Sequence, residues 1–140
     1  MAQAMPYLLD TNSISDLIRE HPRVAARLAA GVATDEVFTC TIVIGELQYG
    51  FQRLPLSRRR TEMESRARAY LAVVPCRPIV EAMADQYAEL RFTRESLGRP
   101  LAENDLWIAT AALFHGATLV TRDGDFRSTP GLSIEDWTAP

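Results

Sequence analysis

Residues 7–18, YLLDTNSISDLI, decide how the rest of the chain is read. Pro6 and the apolar run Tyr7-Leu8-Leu9 read as a strand that stops abruptly at an acid, Asp10. Thr11-Asn12-Ser13 is turn chemistry, and Ile14, Leu17 and Ile18 then recur at the spacing of one helical face. Ser13 is the expected cap of that helix, which would run to about Arg19 and leave Asp10 free for other work. The competing reading makes Asp10 an ordinary helix-start acid, favoured there by roughly 0.3–1 kcal/mol through the helix dipole.

The same alternation continues outward from this unit. PRVAARLAAG (22–31) reads as a helix closed by Gly31. EVFTCT (36–41) is β-rich, and Thr41 is placed to cap a helix to about Leu54. A long helix over about 57–72 is followed by a short extended piece, VVPCRPI (73–79), broken by two prolines. A helix over 79–97 stops at Gly98 and Pro100, NDLWIATAALFHG (104–116) is another, and ATLVT (117–121) and GLSIED (131–136) are strands. Strands separated by helices imply an α/β/α sandwich around a mainly parallel sheet. With no repeat or linker, the 140 residues read as one domain, residues 1–5 being a flexible extension.

Composition narrows the chemistry. All 15 basic residues are arginines, so a Walker-A phosphate loop and Schiff-base catalysis are both excluded. Haloacid-dehalogenase-like phosphatases and receiver domains also need a lysine; the former need a second acid where Asn12 stands. No apolar run approaches the roughly 20 residues of a membrane span, which makes the cytoplasm the expected location. Cys40 and Cys76 sit in apolar company and read as buried free thiols. His21 and His115 read as structural, and no nucleophilic triad is apparent.

Four acids take related positions. Asp10 follows the first strand, Glu46 lies early in the helix after EVFTCT, Asp105 opens a helix, and Asp123 follows ATLVT by two residues. Ile108, Ala109 and Ala112 share a helix face with Asp105, so its carboxylate lies on the apolar side. In an open parallel sheet, sites form beyond the carboxyl ends of the strands, where all four acids would converge. Like charges about 4 Å apart repel by about 4 kcal/mol at an effective dielectric near 20. Protonation or a bound cation would offset that cost, and an oxygen-rich set suits Mg²⁺ or Mn²⁺.

LLDTN, the glutamate within IVIGELQYG, ENDLWIATAAL, and LVTRDGDF followed by PGL together resemble the PIN-domain family, specifically VapC-type ribonuclease toxins of toxin–antitoxin pairs. The resemblance runs from Tyr7 to about Trp137. It implies a PIN-like fold and metal-dependent hydrolysis of RNA phosphodiesters, with Asp10, Glu46, Asp105 and Asp123 as the acidic quartet. Asp10 and Asp105 match the positions most firmly tied to metal; Glu46 and Asp123 follow, with Asp125 the second choice for the fourth acid. Thr11, Asn12, Asn104 and Thr121 stand beside the acids as candidates to orient them, although turn and cap chemistry explains them equally well. The family further implies an RNA substrate, a cognate antitoxin lying over the acidic cleft, a homodimer, and a higher toxin–antitoxin assembly. Tyr49, Phe51, Leu54, Tyr70 and Leu71 are candidates for the dimer interface, although a place in the core explains most of them as well. Six arginines lie between Arg53 and Arg68 against Glu62 and Glu64, a run that reads equally as a solvated helix face or a phosphate-contacting patch; Arg58, Arg59 and Arg60, with Arg122, are the candidates for RNA phosphates. A PIN-like domain that has lost catalysis and only binds RNA or protein is the rival reading.

Overall fold

The computed structural model describes residues 4–140. Its centre is the strand predicted first, β1 (Pro6–Leu9), in which Leu8 and Leu9 are wholly buried. A strand buried on both faces has no polar side to spare, which is why the run is continuously apolar rather than alternating. β1 pairs in parallel with β2 (Glu36–Cys40) on one side and β4 (Thr118–Val120) on the other. β3 (Cys76–Arg77) and β5 (Ile134–Glu135) add parallel outer strands, giving the order β3-β2-β1-β4-β5. The chain therefore builds outward on one side of β1, then crosses to the other. That reversal at β1 opens a crevice at the carboxyl ends of β1 and β4.

The helices are α1 (Thr11–Ile18), α2 (Pro22–Gly31), α3 (Thr41–Gln52), α4 (Arg58–Val73), α5 (Ala84–Ser96) and α6 (Glu103–Phe114). All match predicted helices, except that the 79–97 segment begins as a separate 3-10 turn, Glu81–Met83. Gly98 and Gly116 carry φ of +71° and +61°. At the end of α6, paired bonds close the helix: Gly116 N donates to the Leu113 carbonyl and Ala117 N to that of Ala112, at 3.1 and 2.8 Å. A side chain is strained in this conformation, so glycine lets α6 turn straight into β4.

Several local expectations are corrected. Ser13 is not the cap of α1: Asp10 is, its extended backbone presenting Oδ1 to Ser13 N at 2.8 Å. The Ser13 hydroxyl instead turns inward and donates to the Val120 carbonyl at 2.9 Å, fastening α1 to β4. Thr41 does not cap α3; Cys40 holds that position without a side-chain bond, while Thr41 Oγ1 accepts from Ile79 N. Gly31 does not end α2 through a left-handed turn. A Cβ there would lie 2.8 Å from Arg27 Nη1 and 3.0 Å from Asp35 Oδ2, so close approach accounts for the glycine. Cys40 is buried as expected, but Cys76 is exposed because β3 lies at the sheet edge, and both are free. Of the expected extension, residues 1–3 lie outside the described residues, and Met5 is already tied in, its carbonyl accepting from Glu36 N at 2.9 Å.

Thr39, wholly buried on β2, donates its hydroxyl to the Leu9 carbonyl at 2.8 Å, one residue before Asp10. Thr39→Val keeps the shape and deletes the bond, so urea unfolding should show a loss of about 1–2 kcal/mol with an unchanged m-value.

Candidate active site

The parallel sheet and its crossovers deliver four carboxylates to one opening. Asp10, Glu46, Asp105 and Asp123 line a pocket of about 270 Å³, with Thr11, Asn12, Ile108 and Phe126 completing it. Asp10 arrives from the end of β1, Glu46 from the second turn of α3, Asp105 from the first turn of α6, and Asp123 from the residues after β4. Among the described residues, no basic side chain lines this pocket.

Three of the acids are held by neighbours that leave acceptor capacity unused. Asp10 is 3% exposed and caps α1, and the neighbouring Thr121 and Ser13 side chains hold its carboxyl down against the effect of burial. Asp123 caps the 3-10 turn Gly124–Phe126, its Oδ1 accepting from Asp125 N at 2.9 Å, while its own N donates to Thr121 Oγ1 at 2.9 Å. The Thr11 hydroxyl donates to Glu46 Oε1 at 2.5 Å, bridging α1 and α3. A carboxylate offers about four lone-pair sites, so capping and coordination are compatible uses of the same group.

Electrostatic stress is written on two of the acids. Burial pushes the Asp10 carboxyl up, its hydrogen bonds pull it back, and Asp123 adds repulsion. Asp105, half-buried, is pushed up to about 6 by burial first, then by the charges of Asp123, Glu46, Asp10 and Asp125. The cation that would relieve this is not a side chain: Arg122, next in sequence to Asp123, pairs instead with Asp16 at 3.1 Å. Among the described residues, no three acidic, histidine or cysteine side chains stand close enough to enclose an ion unaided. The donors that face the pocket are oxygens alone, the chemistry that hard divalent cations take, and such an ion keeps several of its waters.

A PIN-domain family model matches residues 7–132. The chain belongs to the PIN-domain family. Within it, ribonuclease VapC2 of Rickettsia felis is 31% identical over 135 residues, spanning 95% of this chain and 98% of that protein. Toxin FitB of Neisseria gonorrhoeae is 32% identical over 136 residues, 93% and 97% of the two chains. The solved complex VapBC2 of Rickettsia felis, bound to a DNA fragment from its promoter, superposes with a TM-score of 0.85 at 30% identity, covering 94% and 98% of the respective chains.

Set against this PIN-domain fold, the remaining predicted residues fall in different places. Asp125 is exposed and lines a neighbouring pocket, so Asp123 is the fourth acid brought into the cleft. Thr11, Asn12 and Thr121 lie at the acids, whereas Asn104 is exposed and outside the pocket lining. Arg58 and Arg60 pair with Glu62 and Glu64 at 3.2 and 2.8 Å on α4, and Arg59 lines a groove beside the cleft. His21 caps α2 through Nδ1, and His115 packs edge-on against Phe38. Sequence reasoning missed Arg94, 4% exposed on α5. It donates to the carbonyls of Arg99 at 2.7 Å, Arg127 at 2.7 Å and Asp125 at 3.0 Å, pinning the loop behind Asp123. Its signal was periodicity: Arg94 falls one turn after buried Leu90, on the inward face.

Asp105 titrates higher when folded than its ordinary 3.8, so its protonation favours folding. That contribution is complete below about 4 and is lost as pH rises through about 6. The Tm of metal-free protein should therefore rise as pH falls from 7 to 5, and Asp105→Asn should raise the Tm at pH 7 and flatten the profile. Scanning calorimetry with chelator present checks both.

Proposed function

We propose that this chain is a divalent-metal-dependent endoribonuclease, the toxin of a toxin–antitoxin pair acting in the cytoplasm. The observation that carries the reading is the cation-free convergence of Asp10, Glu46, Asp105 and Asp123 in one pocket, in a chain about 30% identical to named ribonucleases and toxins. Asp10 and Asp105 would hold the ion, with Asp123 assisting directly or through water. When bound, Mg²⁺ or Mn²⁺ supplies polarisation of the scissile phosphate and a water of lowered pKa. Glu46, fixed by the Thr11 hydroxyl, would accept a hydrogen bond from the attacking water and so orient it. Thr121 orients Asp10 and the Asp123 backbone, so cleft geometry is set before substrate arrives. The departing ribose oxygen takes its proton from solvent at the open mouth.

Cleavage of an end-labelled single-stranded RNA should require Mg²⁺ or Mn²⁺, stop with EDTA, and vanish in Asp105→Asn. Thr11→Val should fold normally and lose about 10- to 100-fold in activity, because it frees Glu46 without removing a carboxylate. Residual nuclease equal in wild type and Asp105→Asn would identify a contaminant and leave only the binding-module reading.

In this reading the antitoxin's seat is a groove that adjoins the cleft. A groove of about 490 Å³ between α1, α3 and α4 has Ile18, Leu47, Phe51 and Met63 in its lining, and shares Thr11 and Glu46 with the acidic pocket. A peptide with an apolar face lying here runs on over the acids. A Cβ at Gly50, within this lining, meets nothing within 4 Å. Gly50→Leu should therefore leave Tm unchanged or raise it, given leucine's better helix propensity, while weakening antitoxin binding about tenfold or more in calorimetric titration. Homodimerisation and a higher assembly belong to the same reading; Tyr49 is largely exposed and available for an interface, whereas Phe51 is core.

A further inference from the structure

Three arginines meet on the far side of the Asp123 turn. Arg94, Arg99 and Arg127 line a pocket of about 450 Å³ together with Gly124, Asp125 and Ser128. Among the described residues, none of the three forms an ion pair; salt bridges elsewhere engage Arg58, Arg60, Arg91 and Arg122. Arg94 is the most unusual. A guanidinium 4% exposed is paired only with neutral oxygens: the three carbonyls already named and Thr129 Oγ1 at 3.2 Å. A buried charge without a counter-ion is costly, and carbonyl dipoles meet its hydrogen-bonding needs without cancelling its charge.

That charge stands behind two arginines which open to solvent. Arg99 donates through Nη1 to Ser128 Oγ at 2.8 Å, and Arg127 lies in the loop that Arg94 holds down. Ser128 has φ of +67°, a conformation that L side chains adopt rarely, so the loop is held in an unfavourable local shape. With Asp125 as the lone acid in the lining, the pocket carries a formal charge of +2, from three arginines less one aspartate. The turn between the two pockets is short: Asp123 faces the acidic cleft, and Asp125, two residues on, faces this one.

We propose that this pocket binds a backbone phosphate of the RNA next to the one being cut, with Arg99 and Arg127 contacting it and buried Arg94 supplying positive field from behind. The proposal rests on the ribonuclease reading for the identity of its ligand. A negative cleft repels an incoming polyanion, and a cationic pocket alongside offsets that repulsion and sets the register of the strand over the acids. Arg94 acts as a positioning residue, because four of its five N–H donors are spent on the surrounding loops. Guanidinium is suited to the role, since its charge persists at any relevant pH and its planar fork matches phosphate oxygens.

The test separates binding from cleavage. Affinity for a fluorescein-labelled 12-nucleotide single-stranded RNA is measured by anisotropy in full-length Asp105→Asn protein across a salt series. Arg99→Gln and Arg127→Gln are compared with Arg23→Gln, which removes an equal charge from an arginine bonded to the Thr138 carbonyl. Each pocket variant should weaken binding about three- to tenfold at 0.1 M salt, and the double variant should lower the log–log salt slope by about 0.7 for each phosphate it no longer neutralises. Arg23→Gln should leave both quantities unchanged. Unchanged affinity and slope in the double variant, or an equal loss in Arg23→Gln, overturns the proposal. If wild type cuts no RNA while the arginine dependence of binding persists, the nuclease reading falls and the phosphate pocket stands.

Discussion

Four carboxylates held at the end of one parallel sheet are the constraint on which the rest of this structure turns. The sheet brings them together because β1 and β4 are adjacent and parallel, so the residues after each strand emerge side by side. α3 and α6 supply the other two acids from their N-terminal turns. No basic side chain lines the cluster's pocket, and burial first, then the neighbouring charges, push the Asp105 carboxyl up to about 6. A folded domain gains no stability from such an arrangement. It makes physical sense as a site poised for a divalent ion, where the repulsion between acids in the free protein becomes attraction in the bound one.

The fold maintains this cluster with hydrogen bonds that serve stability and geometry together. Asp10 and Asp123 are both caps, so each carboxylate is oriented by the backbone that it helps to fold. Ser13 and Thr39 tie α1 and β2 to the carbonyls of Val120 and Leu9, the residues that bracket the cleft. Arg94 fastens the loop behind Asp123 from the opposite side. The bland reading of a helix-start acid and the functional reading of a ligand were never exclusive, since one carboxylate can do both.

Much of this was legible in the chain itself. Continuous apolar strands separated by helical periodicity specify a parallel sheet, and acids at strand ends follow from the rule for where such sheets bind. What escaped was set by contacts distant in sequence. Ser13 looks like the better cap until Val120, 107 residues away, takes its hydroxyl. Cys76 sits in an apolar stretch, yet β3 is an edge strand and leaves it exposed. In the arginine run, Arg58 and Arg60 are matched to Glu62 and Glu64 one turn on. The three arginines of the pocket beside Asp125 come from three segments, α5, the loop after it and the loop after β4, which only the fold assembles. Family resemblance reached the acids because they lie in short motifs. It did not reach Arg94, whose partners share no motif with it.

The central claim is that a divalent cation replaces protons as the partner of these acids, and proton release on metal binding tests it most directly. Mg²⁺ or Mn²⁺ would be titrated into the protein by calorimetry at pH 6 and pH 7.5, each in buffers of different ionisation enthalpy. With Asp105 titrating at about 6, binding should release about half a proton per ion at pH 6 and close to none at pH 7.5. Asp105→Asn should lower the release and weaken the binding. Metal binding without proton release at pH 6, or binding unaffected by Asp105→Asn, would contradict the account.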